Sequence, residues 1–307
     1  MSPYSTVCLF GSSPHFADIA SFCNSRSVNC ILFAAQRHES EIVKLRLPNT
    51  LEINYISSLE DNIFKGLEEV DCKIGISMGS PFIFKKRTID KFQGSLINSH
   101  GAPLPDHKGG GGFTWRILQG DKRGMVLMHQ ISCGIDEGNV VYSREFEFTA
   151  SDRFPIDYID KQISMERKYL LPWLYKLILG EVNLTQSKNS SRNSSNKSSL
   201  IDNVDRLGTY YPRLNTSIHG YIDWTYGGRE LETFVLSFSH PYSGAMTFVG
   251  DHKCRIFDMQ CTNLSYNHPF TNGIIVAMDD YAIKVSLVNG FAYIKKGDIV
   301  FVDKPKT

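Results

Sequence analysis

Between residue 4 and about residue 135, short β-rich runs alternate with helix-like segments, and few architectures accept that alternation. A strand that crosses over through a helix returns parallel to its neighbour, so the pattern specifies an α/β fold with a Rossmann-like open sheet. Residues 7–10, 28–34, 53–56, 72–78, 95–97 and 125–131 read as strands. Residues 16–23 read as a helix with one apolar side, and residues 59–70 as an amphipathic helix opened by Ser57 and Ser58. A helix over about 158–180, carrying Leu170, Leu171, Leu174 and Leu177, closes this unit.

The composition then changes sharply. Residues 185–199 contain no apolar side chain and read as a solvated linker. Beyond it, runs at 233–238, 245–249, 254–259, 273–277, 281–285 and 291–294 read as short strands, with Asp279-Asp280 and Asn289-Gly290 as tight turns. That pattern suits a small β-rich, barrel-like C-terminal domain. The expected division is 1–184 for a catalytic domain, 185–204 for a linker and 205–307 for the β-rich domain. At 307 residues, both cores can be properly buried.

With 42% apolar and 21% charged residues, the chain has an ordinary globular composition. Its net charge of +1 advertises neither nucleic acid nor an anionic membrane as partner. The seven cysteines never fall in a Cys-x-x-Cys spacing, which argues against both a disulfide framework and a metal site. The N-terminus lacks the form of a signal peptide, and the greasiest segment, 170–179, falls far short of the roughly 20 residues of a spanning helix. These observations point to a cytoplasmic protein with reduced thiols. Gly11-Ser12-Ser13 lacks the further glycines of a dinucleotide-binding turn.

The segment most suggestive of chemistry is Asn98-Ser99-His100, followed by a proline-pinned loop and four glycines, Gly109 to Gly112. On a strand, Asn98 and His100 project from one face, so an amide and an imidazole converge at the carboxyl end of a strand, where ligands of open α/β sheets settle. The amide is a donor for a developing oxyanion, worth about 3 kcal/mol of barrier. The imidazole is a proton carrier near neutral pH. Gly134-Ile135-Asp136-Glu137-Gly138 adds a carboxylate able to orient His100. Each signal alone also fits an ordinary turn, a surface histidine or a self-bonded aspartate.

In this order and spacing, Asn98-x-His100, Leu104-Pro105-x-x-Lys108-Gly109 and Gly134-Ile135-Asp136-x-Gly138 resemble the folate-dependent formyltransferases. The methionyl-tRNA enzymes belong to that family, and the resemblance is strongest to its nucleotide-linked amino-sugar branch. Residues 10–17, Ile222-Asp223-Trp224 and Pro241-Tyr242-Ser243-Gly244-Ala245 extend it along the chain. The resemblance implies Asn98, His100 and Asp136 as the catalytic trio and N10-formyltetrahydrofolate as co-substrate, with no metal. It places the pterin between Met78, Gly79, Ser80, Pro81, Phe82 and Ile83 on one side and Cys133 and Ile135 on the other. It gives Ser12, Pro103, Lys108, Gly110, Gly111, Phe113, Trp115, Tyr211 and Arg213 to the acceptor. Lys108 stands where many relatives carry arginine, and Trp115 equally suits helix packing.

The implied reaction is formyl transfer to the amine of a nucleotide-linked amino-deoxysugar, for surface polysaccharide of the O-antigen kind. Two alternatives stay open: methionyl-tRNA formylation, and a silent relative that only binds folate or a nucleotide sugar. A tRNA binder needs a basic second domain, yet from residue 201 onward 10 Lys/Arg face 11 Asp/Glu. Exposed edges of the β-rich domain offer a route to a homodimer.

Overall fold

All six residues of the first strand, β1 (Thr6–Gly11), are buried, as expected of a strand covered on both faces. The computed structural model describes residues 2–59, 73–184, 208–263 and 266–302. The helix expected over 59–70 and the linker over 185–204 lie outside the described residues, apart from Leu59. β2 (Asn29–Ala35), β3 (Glu52–Ile56), β4 (Lys73–Met78) and β5 (Leu96–His100) follow β1. After the two-residue β6 (Lys108–Gly109) come β7 (Arg123–Gln130) and β8 (Val140–Glu147), the last not anticipated from the sequence.

Seven strands share one sheet in the order β3-β2-β1-β4-β5-β7-β8. β1 to β5 are joined by parallel pairings, whereas β7 runs antiparallel to β5. Alternate residues of β1 sort into two clusters: Val7 and Leu9 pack with Leu170, Leu174 and Leu177, and Cys8 and Phe10 with Phe84, Phe92 and Leu96. With a side-chain period of 2, these clusters cover opposite faces of the sheet. The closing helix starts at Pro155, runs to Met165, passes through a π-helical turn at Glu166–Leu170 and resumes over Leu171–Ile178.

The described chain divides into two compact units that are not contiguous in sequence. One comprises Met1–Gly109, Arg123–Phe146 and Gln162–Tyr210, and the other Gly110–Lys122, Glu147–Lys161 and Tyr211–Thr307. Where the sequence suggests one domain up to residue 184, packing assigns the helix Gly112–Gln119 to the second unit. There Leu118 packs against the second core, and the Thr114 hydroxyl donates to the Ser237 carbonyl at 3.2 Å.

The second unit contains a three-stranded and a four-stranded sheet. β9 (Tyr210–Tyr211) pairs with β6; β10 (Ala245–Val249), β11 (His252–Ile256) and β16 (Ile299–Phe301) form the first sheet. β12 (Gln260–Thr262), β15 (Gly290–Lys295), β14 (Ala282–Leu287) and β13 (Ile275–Met278) form the second in that order. The strand expected over 233–238 is instead the helix Gly228–Ser237. Leu231, Phe234, Val235 and Phe238 fall at helical spacing and enter one core with Ala245, Ile256 and Val285, so periodicity over the longer window overrides the short β-branched run.

Candidate active site

β5 carries the site because of its register. Asn98 stands opposite Ser77 of β4 and His129 of β7, and its side chain bridges them. The Ser77 hydroxyl donates to Asn98 Oδ1 at 2.9 Å, and Asn98 Nδ2 lies 3.2 Å from His129 Nε2. An amide nitrogen has two hydrogens, so one remains for a ligand.

His100, two residues on, projects from the same face. Its Nε2 donates to the His107 carbonyl at 2.6 Å, which turns Nδ1 toward Asp136 Oδ2 at 3.7 Å. Burial holds its pKa below the ordinary 6.5, although Asp136 and the His107 bond act the other way.

Asp136 reaches this point on a tightly constrained turn. A Cβ at Gly138 would overlap the Gln130 backbone carbonyl, so glycine is required there, whereas one at Gly134 would meet only the Glu137 side chain, which is free to move aside. Asp136 itself adopts φ +54°, a left-handed conformation that aspartate tolerates better than most residues. Its Oδ2 accepts the Gly109 amide at 2.8 Å, and its Oδ1 lies 3.4 Å from His129 Nε2. Burial raises the Asp136 pKa, but His129, His100 and the Gly109 amide outweigh it and hold the carboxyl below its ordinary value. It is a carboxylate near neutral pH.

His129 is the residue that sequence reasoning missed. It is buried on β7, with Nδ1 bonded to its neighbour's carbonyl, Gln130 O, at 2.8 Å. Its Nε2 stands 3.2 Å from the Asn98 amide nitrogen and 3.4 Å from Asp136 Oδ1, accepting from the amide when the ring is neutral and able to donate to the carboxylate only when it is protonated. The missed signal was register: pairing β5 with β7 puts His129 beside Asn98.

The other expected residues fall into two groups. Within the first unit, Ser12 donates through its backbone to Met78 O at 3.2 Å, beside Gly79 and Ser80 at the end of β4. Pro103 is buried and accepts from the His107 amide at 2.9 Å. Lys108 Nζ pairs with Glu137 at 2.9 Å, so its charge is engaged within the protein. The loops leaving β4 and β7, the two strands that flank β5, expose Ile83 and Ile135 at 70% and 42%. Phe82 packs against the Phe84 and Phe92 cluster, Pro81 is half-buried, and Cys133 is an exposed free thiol.

Within the second unit, Trp115 donates to Pro212 O at 2.8 Å and lies 5.3 Å from the Tyr211 ring, between centroids. Phe113 meets Tyr158 edge-on at 6.1 Å. Arg213 and Gly111 line one depression with Thr114, and the Gly110 amide donates to Tyr211 O at 3.0 Å. Of the four glycines, Gly109 and Gly111 take positive φ and Gly112 has open space around it.

Residues 56–170 match the formyl transferase family, so this part of the chain is a formyl transferase domain. A methionyl-tRNA formyltransferase of Ruminiclostridium cellulolyticum is 26% identical over 214 residues, covering 70% of this chain and 62% of that enzyme. One from Rickettsia massiliae is 19% identical over 84% of this chain and 77% of its own length. The chain thus spans under two thirds of the first of these relatives.

Among solved structures, WlaRD, a sugar 3N-formyl transferase, is similar at a TM-score of 0.67 and 16% identity, over 99% of this chain and 100% of that one. An N-formyltransferase from Helicobacter canadensis gives 0.65 at 16%, over 94% and 98%. Both were solved with a folate compound, the first also with dTDP and the second with dTDP-3-aminofucose. At these identities the likeness establishes a shared fold.

Proposed function

We propose that this protein transfers a formyl group from N10-formyltetrahydrofolate to the amine of a nucleotide-linked amino-deoxysugar, in the assembly of surface polysaccharide. The observation that carries the reading is the convergence of Asn98, His100 and Asp136 inside a formyl transferase domain. The folate and the dTDP-linked sugar bound by its structural neighbours support the substrate classes.

The residues present suit the folate. The exposed Ile83 and Ile135 give apolar surface for a pterin in the two loops that bracket β5, and Asn98 keeps one amide hydrogen for the formyl oxygen. When bound, the folate supplies an activated formyl carbon and leaves as tetrahydrofolate. Asn98 donates to the oxygen as negative charge grows there. His100 takes the proton lost by the attacking amine at Nδ1, since Nε2–H is committed to His107, and gives it to N10 as tetrahydrofolate departs. Asp136, ionised, stabilises the resulting imidazolium. Lys108 meets a phosphate of the nucleotide in competition with Glu137.

Methionyl-tRNA formylation is the second reading, favoured by the curated relatives. The two are separated by incubating the protein with the formyl donor and either a panel of nucleotide-linked amino sugars or charged initiator tRNA. Formylation of a sugar nucleotide is expected. Formylation of tRNA alone replaces the proposal with the second reading, and donor binding without turnover on any acceptor identifies a silent relative.

A further inference from the structure

On the reverse face of β5, a second polar cluster takes no part in the chemistry above. Ser99, between Asn98 and His100, projects there, and its hydroxyl donates to Glu166 Oε1 at 3.3 Å. Glu166 opens the π-helical turn and is itself buried. It accepts from three separate elements: Ser99 on β5, Gln162 one helical turn earlier at 3.0 Å, and His15 Nε2, in the turn after β1, at 3.1 Å. His15 is fully buried and Gln162 nearly so.

Such a cluster is costly to bury unless its partners are held in place. Gln162 uses its second amide hydrogen on the Met125 carbonyl of β7, at 3.1 Å. Its side chain also closes over Gly101, where an added Cβ would lie 3.2 Å from Gln162 Cδ. The residues before and after His100 are therefore both fixed from behind, Ser99 by a hydrogen bond and Gly101 by packing. The π turn widens the helix where Glu166 sits, and such turns recur at functional sites.

We infer that Glu166, acting with Gln162, is a positioning residue for His100. It sets the β5 backbone so that His100 Nε2 meets the His107 carbonyl and Nδ1 faces Asp136. The inference rests on the proposed function only for its consequence in turnover, because the geometry it describes exists without substrate.

The test compares wild type with Ser99→Ala and Glu166→Gln, using Ser99→Thr as a variant that keeps the hydroxyl. The His100 imidazole nitrogens are followed by nuclear magnetic resonance, assigned by their loss in His100→Asn. Both disruptive variants are expected to shift the Nε2 signal and lower kcat about tenfold with KM unchanged, a plausible loss when a reacting group is displaced by a fraction of an ångström. Ser99→Thr should restore both. If Glu166→Gln does not fold, Ser99→Ala, which removes one hydrogen bond, decides alone. An unmoved His100 signal, or a moved signal with unchanged kcat, overturns the inference. Absence of turnover in wild type counts against the proposed function and leaves the resonance to decide positioning.

Discussion

His100 reaches the site with one nitrogen committed and its charge disfavoured, and both conditions have measurable consequences. Its native pKa lies below the ordinary 6.5, so between those values the unfolded chain binds more protons than the native one. Stability therefore rises with pH across that window and is lost as pH falls through it. Asp136 adds a loss of the same sign below its ordinary 3.8, where protonation removes the negative charge that His129, His100 and the Gly109 amide stabilise. Urea midpoints measured from pH 5 to 7 should fall on acidification in wild type and change less in His100→Asn; parallel curves would remove His100 from this account. Asn98→Ala removes a single donor, and kcat should fall by roughly 100-fold or more, about 3 kcal/mol, while folate affinity measured by titration calorimetry stays within a few-fold.

At the scale of elements, the sequence was most legible where one local pattern had one outcome. Asn98 and His100 share a face because a strand has period 2, and the turn that carries Asp136 closes on Gly138 because no larger residue fits against the Gln130 carbonyl. His129 was not legible: a histidine inside an apolar run acquires meaning only when β7 pairs antiparallel with β5, a long-range choice that local spacing does not encode. The helix Gly228–Ser237 was misread for the opposite reason, because a short window containing Thr233, Phe234 and Val235 looks β-rich until Leu231 and Phe238 are included. The site's glycines also separate once structure is present. Gly138→Ala drives a Cβ into the Gln130 carbonyl and should displace the Asp136 turn, lowering both the melting temperature and kcat. Gly112→Ala meets nothing within 4 Å at the start of a helix, and is expected to leave the melting temperature unchanged or raise it, by up to about 1 kcal/mol of stability. A loss in Gly112→Ala equal to that in Gly138→Ala would show that position 112 tolerates no side chain.

For the whole molecule, acceptor choice follows from how charge is distributed. The chain carries 33 Lys/Arg against 32 Asp/Glu, and the balance persists from residue 201 onward, so the β-rich region as a whole carries no net excess of the cations that a folded RNA demands. Lys108, the cation beside the site, is already neutralised by Glu137, and a phosphate must compete with that carboxylate. An acceptor with one diphosphate asks only for such a local exchange, whereas a tRNA asks for many phosphate contacts at once. Binding of nucleotide sugar should consequently weaken only modestly between 50 and 200 mM salt, while any tRNA association should be weak at 50 mM and vanish well before 200 mM, as read by fluorescence anisotropy. Glu137→Gln frees Lys108 and should tighten nucleotide-sugar binding several-fold with little effect on kcat. Weaker binding in that variant would mean that Glu137 positions Lys108 instead of competing for it.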